Sequence, residues 1–112
     1  MKGTYIGELE ELILLTVGVL FPNAYGVAVM DEIAQQANRK LNISAVHSVL
    51  TRLEDKGYLV SKLGEPTEER GGRRKRIFTL TAAGKTVLEE THALRNHLFH
   101  NIGGIALDLK FI

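Results

Sequence analysis

Between residues 70 and 76 the chain carries five cations in seven positions, Arg70, Arg73, Arg74, Lys75 and Arg76, interrupted only by Gly71-Gly72. Cations bunched this closely repel one another unless a polyanion neutralises them, and a nucleic-acid backbone supplies regularly spaced anionic oxygens. The two glycines let the main chain turn tightly and come close to a phosphate. Alternation along an extended segment sends Arg74 and Arg76 to one side and Arg73 and Lys75 to the other, so the five cannot all grip one backbone. Glu65, Glu68 and Glu69 lie just upstream and leave open the plainer alternative of a neutralised, solvated loop.

A second set of residues suited to nucleic acid lies upstream, on a stretch with helical period. Val46, Val49, Leu50 and Leu53 fall at i, i+3, i+4 and i+7 and form one apolar stripe. Ala45, His47, Ser48, Thr51 and Arg52 then point outward or sideways. Ser48 and His47 have the hydrogen-bonding groups that read base edges in a major groove, and Ala45 offers a methyl-sized contact. Thr51, Arg52 and the backbone N–H groups near Ser44 suit phosphate oxygens. A merely solvated polar face is the competing reading of this helix, and the neighbouring cationic arm weighs against it.

The formal net charge of +1 conceals how the charge is divided. Residues 1–38 hold one Lys against five acids, a local charge of −4. Residues 39–80 hold ten Lys and Arg against five acids, or +5, and residues 81–112 are balanced. Segregation of this kind is the footprint of a polyanion-binding face on an otherwise neutral protein.

These side chains need a scaffold, and the pattern supplies one. Gly57 suits the left-handed cap that ends the helix of residues 44–56. Tyr58–Leu63 reads as a strand and Arg76–Leu80 as its partner, with a turn-rich loop between them. Upstream, Gly7–Phe21 reads as a helix apolar nearly all round, so that it must be covered on more than one side, by the domain core and by a second subunit. A second helix spans about Tyr25–Asn38. The link Arg39–Ile43 leads to Ser44, expected as N-cap of the next helix, and completes a helix-turn-helix. After the hairpin, Thr81 is the expected N-cap of a fourth helix, Ala82 to about Asn101. Seven-residue spacing joins Val87 to Leu94 and Thr91 to Leu98, the seam of a helix–helix contact. Leu9, Leu12, Val87, Thr91, Leu94 and Leu98 are the expected dimerisation residues. Gly103-Gly104 should break this helix, and Ile105, Leu107, Leu109 and Phe111 alternate as a short extended tail would.

The expectation is therefore a mainly α fold with a small β-hairpin: a winged helix-turn-helix domain over residues 1–80, and a C-terminal dimerisation helix and tail over residues 81–112. One hundred and twelve residues suffice for one modest core. The chain contains no cysteine, which excludes disulfides, thiol nucleophiles and Cys-based zinc sites and fits a reducing, cytoplasmic setting. The apolar run Leu12–Leu20 is far shorter than the roughly 20 residues a membrane helix needs, and acids rather than cations precede it. His92, His97 and His100 lack the acidic or sulfur ligands that usually complete a zinc site, and are read as polar interface or solvent-facing residues. Tyr25 and Tyr58 could stack on a base or ligand, but amphipathic core positions suit them better. No phosphate-binding Gly-rich motif, Gly-x-Ser-x-Gly or His-Glu-x-x-His occurs, and the acids Glu8, Glu10 and Glu11 read as solvated helix surface. An enzyme is not expected, nor is any cofactor.

Several of these segments, taken in order, resemble the PadR family of bacterial transcriptional regulators. They are Gly7-Glu8-Leu9-Glu10-Glu11-Leu12-Ile13-Leu14-Leu15, Ala24-Tyr25-Gly26-Val27, Ser44 to Leu59, Gly64-Glu65-Pro66-Thr67, Arg70 to Arg76, and Leu80-Thr81-Ala82-Ala83-Gly84. The resemblance implies a winged helix-turn-helix homodimer on double-stranded operator DNA, usually a repressor. It also implies dimerisation through the helix from Ala82 with help from the first helix, and in many members a response to a small aromatic effector. Two departures stand out. The family commonly has Tyr where this chain has His47, and short members that take flat drugs between subunits often use a Trp, which this chain lacks. Two other functions compete: a winged helix whose basic wing meets an acidic protein partner, and a ligand sensor whose DNA binding is secondary.

Overall fold

The computed structural model describes residues 5–66, 74–104 and 106. Four helices and one antiparallel hairpin follow in the order α1 (Glu8–Leu20), α2 (Gly26–Ala37), α3 (Ile43–Asp55), β1 (Leu59–Pro66), β2 (Arg74–Leu80) and α4 (Ala82–His100). Helices α1, α2 and α3 pack on one another, and the hairpin closes the core against α1 and α3. Ile13, Leu14 and Val17 of α1 meet Val29 and Ile33 of α2 and the stripe Val46, Val49, Leu50 and Leu53 of α3, with Tyr58, Leu59 and Phe78 beneath. Burying each of these large apolar side chains stabilises the fold by roughly 1.5–3 kcal/mol before entropy is counted.

The start of α3 differs from expectation. Asn42, with extended backbone (φ −87°, ψ 160°), is the N-cap, and its Oδ1 accepts from the Ala45 N–H at 2.7 Å. Ser44 therefore lies inside the first turn: the helix begins two residues earlier, where the Asn42 side chain takes the Ala45 N–H and the Asn42 carbonyl accepts the Val46 N–H, the first bond of the helix. The helix closes at Gly57, whose φ of +85° requires a residue without a Cβ penalty. Thr81 caps α4 as expected: its Oγ1 accepts from the Gly84 N–H at 3.0 Å and donates to the Gly57 carbonyl at 2.6 Å, joining the ends of two helices.

Both strands run further than their alternation suggested. Leu59 pairs with Leu80 through to Leu63 with Arg76, and after an irregularity Pro66 pairs with Arg74. Arg74 and Lys75, expected in the loop, thus belong to β2. The tip of the hairpin, residues 67–73, with Arg70 and Arg73, lies outside the described residues. The Phe78 N–H donates to the Ala24 carbonyl at 2.8 Å, which tacks the turn before α2 onto the hairpin.

The expected dimerisation residues divide into two groups. Val87 is 2% exposed and belongs to the chain's own core, so it cannot form an intermolecular seam. It lies in the first half of α4, where the helix still packs on the domain. Leu9 and Leu12 are half-buried against the same core, and Thr91 is half-buried. Leu94 and Leu98 stand 58% and 56% exposed, with Phe99 beside them, and every residue from His92 to His100 is exposed. On α1 the exposed apolar residues are Leu15 and Val19, followed by Phe21. Helix α4 ends at His100, capped by Asn101, before Gly103-Gly104. Residues 104 and 106 have helical rather than extended backbone, and the rest of the alternating tail lies outside the described residues.

Candidate nucleic-acid interface

Helix α3 buries its apolar stripe and so presents two different flanks. On one, Ser44, His47, Ser48 and Thr51 line a shallow concave surface beside Ile43. All four are exposed, and none of their side chains hydrogen-bonds to another group among the described residues. Ala45 is half-buried at the edge. This flank carries hydroxyls and an imidazole but no fixed charge, a composition suited to reading base edges.

On the other flank Arg52 and Lys56 converge on one carboxylate. Glu10 Oε2 accepts from Arg52 Nε at 3.0 Å and from Lys56 Nζ at 2.8 Å, while Glu10 Oε1 accepts from the Gly7 N–H at 2.9 Å. Glu10 is 6% exposed. Burial pushes its carboxyl up, but the hydrogen bonds from Lys56, from the Gly7 amide and from Arg52 outweigh that and hold it at about 2. Arg52, expected among the phosphate contacts, is thus turned toward the start of α1 and lies off the open flank.

The acids of α1 are not the solvated surface their sequence suggested. Glu8 pairs with Arg39 at 2.8 Å, Glu10 with Arg52 and Lys56, and Glu11 with Arg95 at 3.2 Å. Their cations come from three different segments, so the first turn of α1 ties together the link before α3, α3 itself and α4. The Glu8 pair is exposed and contributes little, and the Glu11 pair, half-buried on the glutamate side with Arg95 in solvent, adds a modest amount. The one signal in the sequence was the three-residue spacing of Gly7 and Glu10 at a helix start, a box in which the side chain reaches back to the cap amide.

In the wing the described cations take separate positions. Arg74 is exposed at the end of β2. Arg76 Nη1 donates to Ser61 Oγ at 3.0 Å, and Ser61 donates in turn to the Glu54 carboxylate, so β2 is braced through β1 to α3. Lys75 Nζ stands 4.2 Å from the centre of the Tyr25 ring, a cation–π contact that holds β2 against the start of α2. Tyr25 therefore has one ring face covered, and Tyr58 is buried in the core; neither is an open stacking platform. His92, His97 and His100 are all exposed, and His100 and His97 bond to Asn96 and Asn101 on their own helix. Among the described residues no group of three His, Asp or Glu could hold a metal ion, and no helix is long and apolar enough to cross a membrane.

A helix-turn-helix with an uncharged, unpartnered flank, followed by a hairpin with cations on its second strand, has clear counterparts. Over 88% of this chain and 89% of the other, the structure is similar to a PadR-like transcription factor from Bacteroides fragilis (TM-score 0.72, 24% identity). It is similar over 91% and 88% to a PadR family transcriptional regulator from Eggerthella lenta DSM 2243 (TM-score 0.69, 24% identity). Over 87% and 97% it is similar to F93 from STIV, a winged-helix DNA-binding protein (TM-score 0.67, 15% identity). No functionally curated protein matches the chain. The family model for PadR-like transcriptional regulators matches residues 15–90, which include α2, α3, the hairpin and the buried half of α4. The chain belongs to the PadR-like family of transcriptional regulators, and it is not an enzyme.

Proposed function

We propose that the chain is a homodimeric repressor that binds an inverted-repeat operator. Helix α3 of each protomer lies in a major groove, with His47 and Ser48 on base edges and Ser44, Ala45 and Thr51 at the groove wall. Arg74 and Arg76, with Arg70 and Arg73 of the wing tip, meet the flanking phosphates, and Lys75 steadies the wing from its place on Tyr25. The observation that carries this reading is the exposed flank of α3 where the side chains of Ser44, His47, Ser48 and Thr51 have no hydrogen-bond partner among the described residues, next to a cationic strand. The dimer is supported by α4, whose second half has no buried residue and presents Leu94, Leu98 and Phe99. Such a helix gains its stability from packing rather than from propensity, and a second α4 would supply it.

Selection of binding sites from random duplex DNA tests the reading. The expected result is an inverted repeat with half-sites about one helical turn, roughly 34–36 Å, or a multiple of that apart. Absence of enrichment at low salt would favour an acidic protein partner instead, whose binding would fall with salt without preferring any sequence. Leu94→Asp with Leu98→Asp should sediment as a monomer and lose the paired site. A small aromatic effector is a second reading, favoured by the groove in which Tyr5 and Ile6 face Thr91, Leu94 and Leu98 of α4, with Glu90 and Arg95 at its polar rim. An aromatic ligand that raises the melting temperature and shifts operator affinity would support it, and no response across a broad panel would count against it.

A further inference from the structure

We propose that Gly26 is a positioning residue for DNA reading by His47: its bare Cα is the seat on which the imidazole rests, and this seat sets the sequence preference of the recognition helix. The inference rests on the proposed reading of DNA by α3.

Gly26 is the first residue of α2, directly after the extended N-cap Tyr25 (φ −123°, ψ 166°). Glycine is a poorer helix former than alanine, so its presence there calls for a reason. The backbone gives none, since Gly57 is the glycine with positive φ among the described residues and Gly26 is not. Space does give one. A Cβ on Gly26 would stand 2.6 Å from His47 Cε1, 2.7 Å from Nε2 and 3.4 Å from Nδ1. The far edge of the imidazole therefore lies directly over the first turn of α2, while the residue remains exposed on the open flank with Ser44, Ser48 and Thr51. Two elements of the helix-turn-helix thus aim one side chain: α3 carries it and α2 fixes where its ring lies. The same turn also anchors the wing, through Lys75 on Tyr25 and Phe78 on Ala24. A hydrogen bond to a base tolerates only about half an ångström in length, so a ring displaced to another rotamer reads a different pattern or none.

The test is Gly26→Ala, alone and combined with His47→Ala, with site selection and competition binding on each. Because the atoms in conflict are the end of a flexible side chain, Gly26→Ala should keep the fold and swing the imidazole away. Discrimination should fall about tenfold at the base pair that His47→Ala also relaxes, the size of one lost base contact. In the double variant the Gly26 substitution should add nothing to the His47→Ala spectrum, since the ring it displaces is gone. An unchanged preference in Gly26→Ala, or strictly additive effects in the pair, overturns the proposal. Should Gly26→Ala fail to fold, the double variant should fold; if both fail, the glycine serves the backbone and the seat is wrong. A nuclear Overhauser contact between the His47 ε1 proton and the Gly26 α protons in DNA-free protein tests the seat by itself, and its absence rejects it. Wild-type protein that shows this contact but selects no DNA sequence would instead overturn the reading of α3 as a DNA reader.

Discussion

On one flank of α3, Arg52 and Lys56 close on Glu10; on the other, the side chains of Ser44, His47, Ser48 and Thr51 make no hydrogen bond to another group among the described residues. The two flanks share a backbone and a buried stripe, yet the charged one is used inward and the uncharged one is left open. Under the proposed function, charge near α3 is therefore no guide to what touches DNA. Arg52 and Lys56 are consumed in holding α3 against α1, so under the proposed function phosphate affinity comes mainly from the wing and discrimination from the neutral flank.

The largest effect should come from removing what the flanks share. Leu50 is fully buried between them, and Leu50→Ala should lower unfolding free energy by about 2–5 kcal/mol in denaturant titrations, with DNA binding lost in proportion to the unfolded fraction. A loss well under 1 kcal/mol would mean that the stripe does not hold α3 in place. Next in size is the contrast between wing and inner cations. Arg73→Ala with Arg74→Ala should weaken binding to all DNA by about 10–100-fold near physiological salt and reduce the salt slope by about 2. Arg52→Ala should leave the slope nearly unchanged, because its guanidinium is committed to Glu10. Equal slopes for the two variants would erase the distinction between the flanks.

The fold was legible where one periodicity dominated. The stripe Val46, Val49, Leu50, Leu53 and the glycine at 57 marked α3 and its end, since burial and a positive φ each admit few residue types. What the sequence hid were choices between equivalent partners. Asn42 and Ser44 are both good caps, and the backbone at residue 42 decided between them. Val87 and Leu94 share a heptad position, but the domain covers only the first half of α4, so one is core and the other surface. Glu8, Glu10 and Glu11 look alike in sequence, and only the approach of α3 buries Glu10. The seat of His47 on Gly26 joins residues 21 positions apart and has no signature in local spacing.

The clamp on the inner flank makes a pH prediction. The Glu10 carboxyl sits at about 2 in the folded chain against an ordinary 4.5, so the folded state favours its ionised form. Its contribution to stability is present above the ordinary value and is lost as pH falls from about 4.5 toward 2. Glu10→Gln should lower stability at neutral pH by about 1 kcal/mol, the worth of charged hydrogen bonds whose cations are half in water. It should also flatten that part of the acid-unfolding profile. An unchanged profile would show that the ion cluster does not set the acid sensitivity of α3.

The smallest effect, and the one that bears most directly on the open flank, is His47→Ala. The ring touches Gly26 but buries little, so folding stability should stay within about 0.5 kcal/mol, as for most surface substitutions. Affinity for bulk DNA should also hold, since no fixed charge is removed from the wing. What should change is the ranking of sites, by about tenfold at one position of each half-site. A uniform loss across all sequences would make His47 a phosphate contact and move base reading to Ser48 and its neighbours. Because the flank has no other side chain of that reach, such an outcome would also leave the protein with weak discrimination from α3 and place more of it on DNA shape read by the wing.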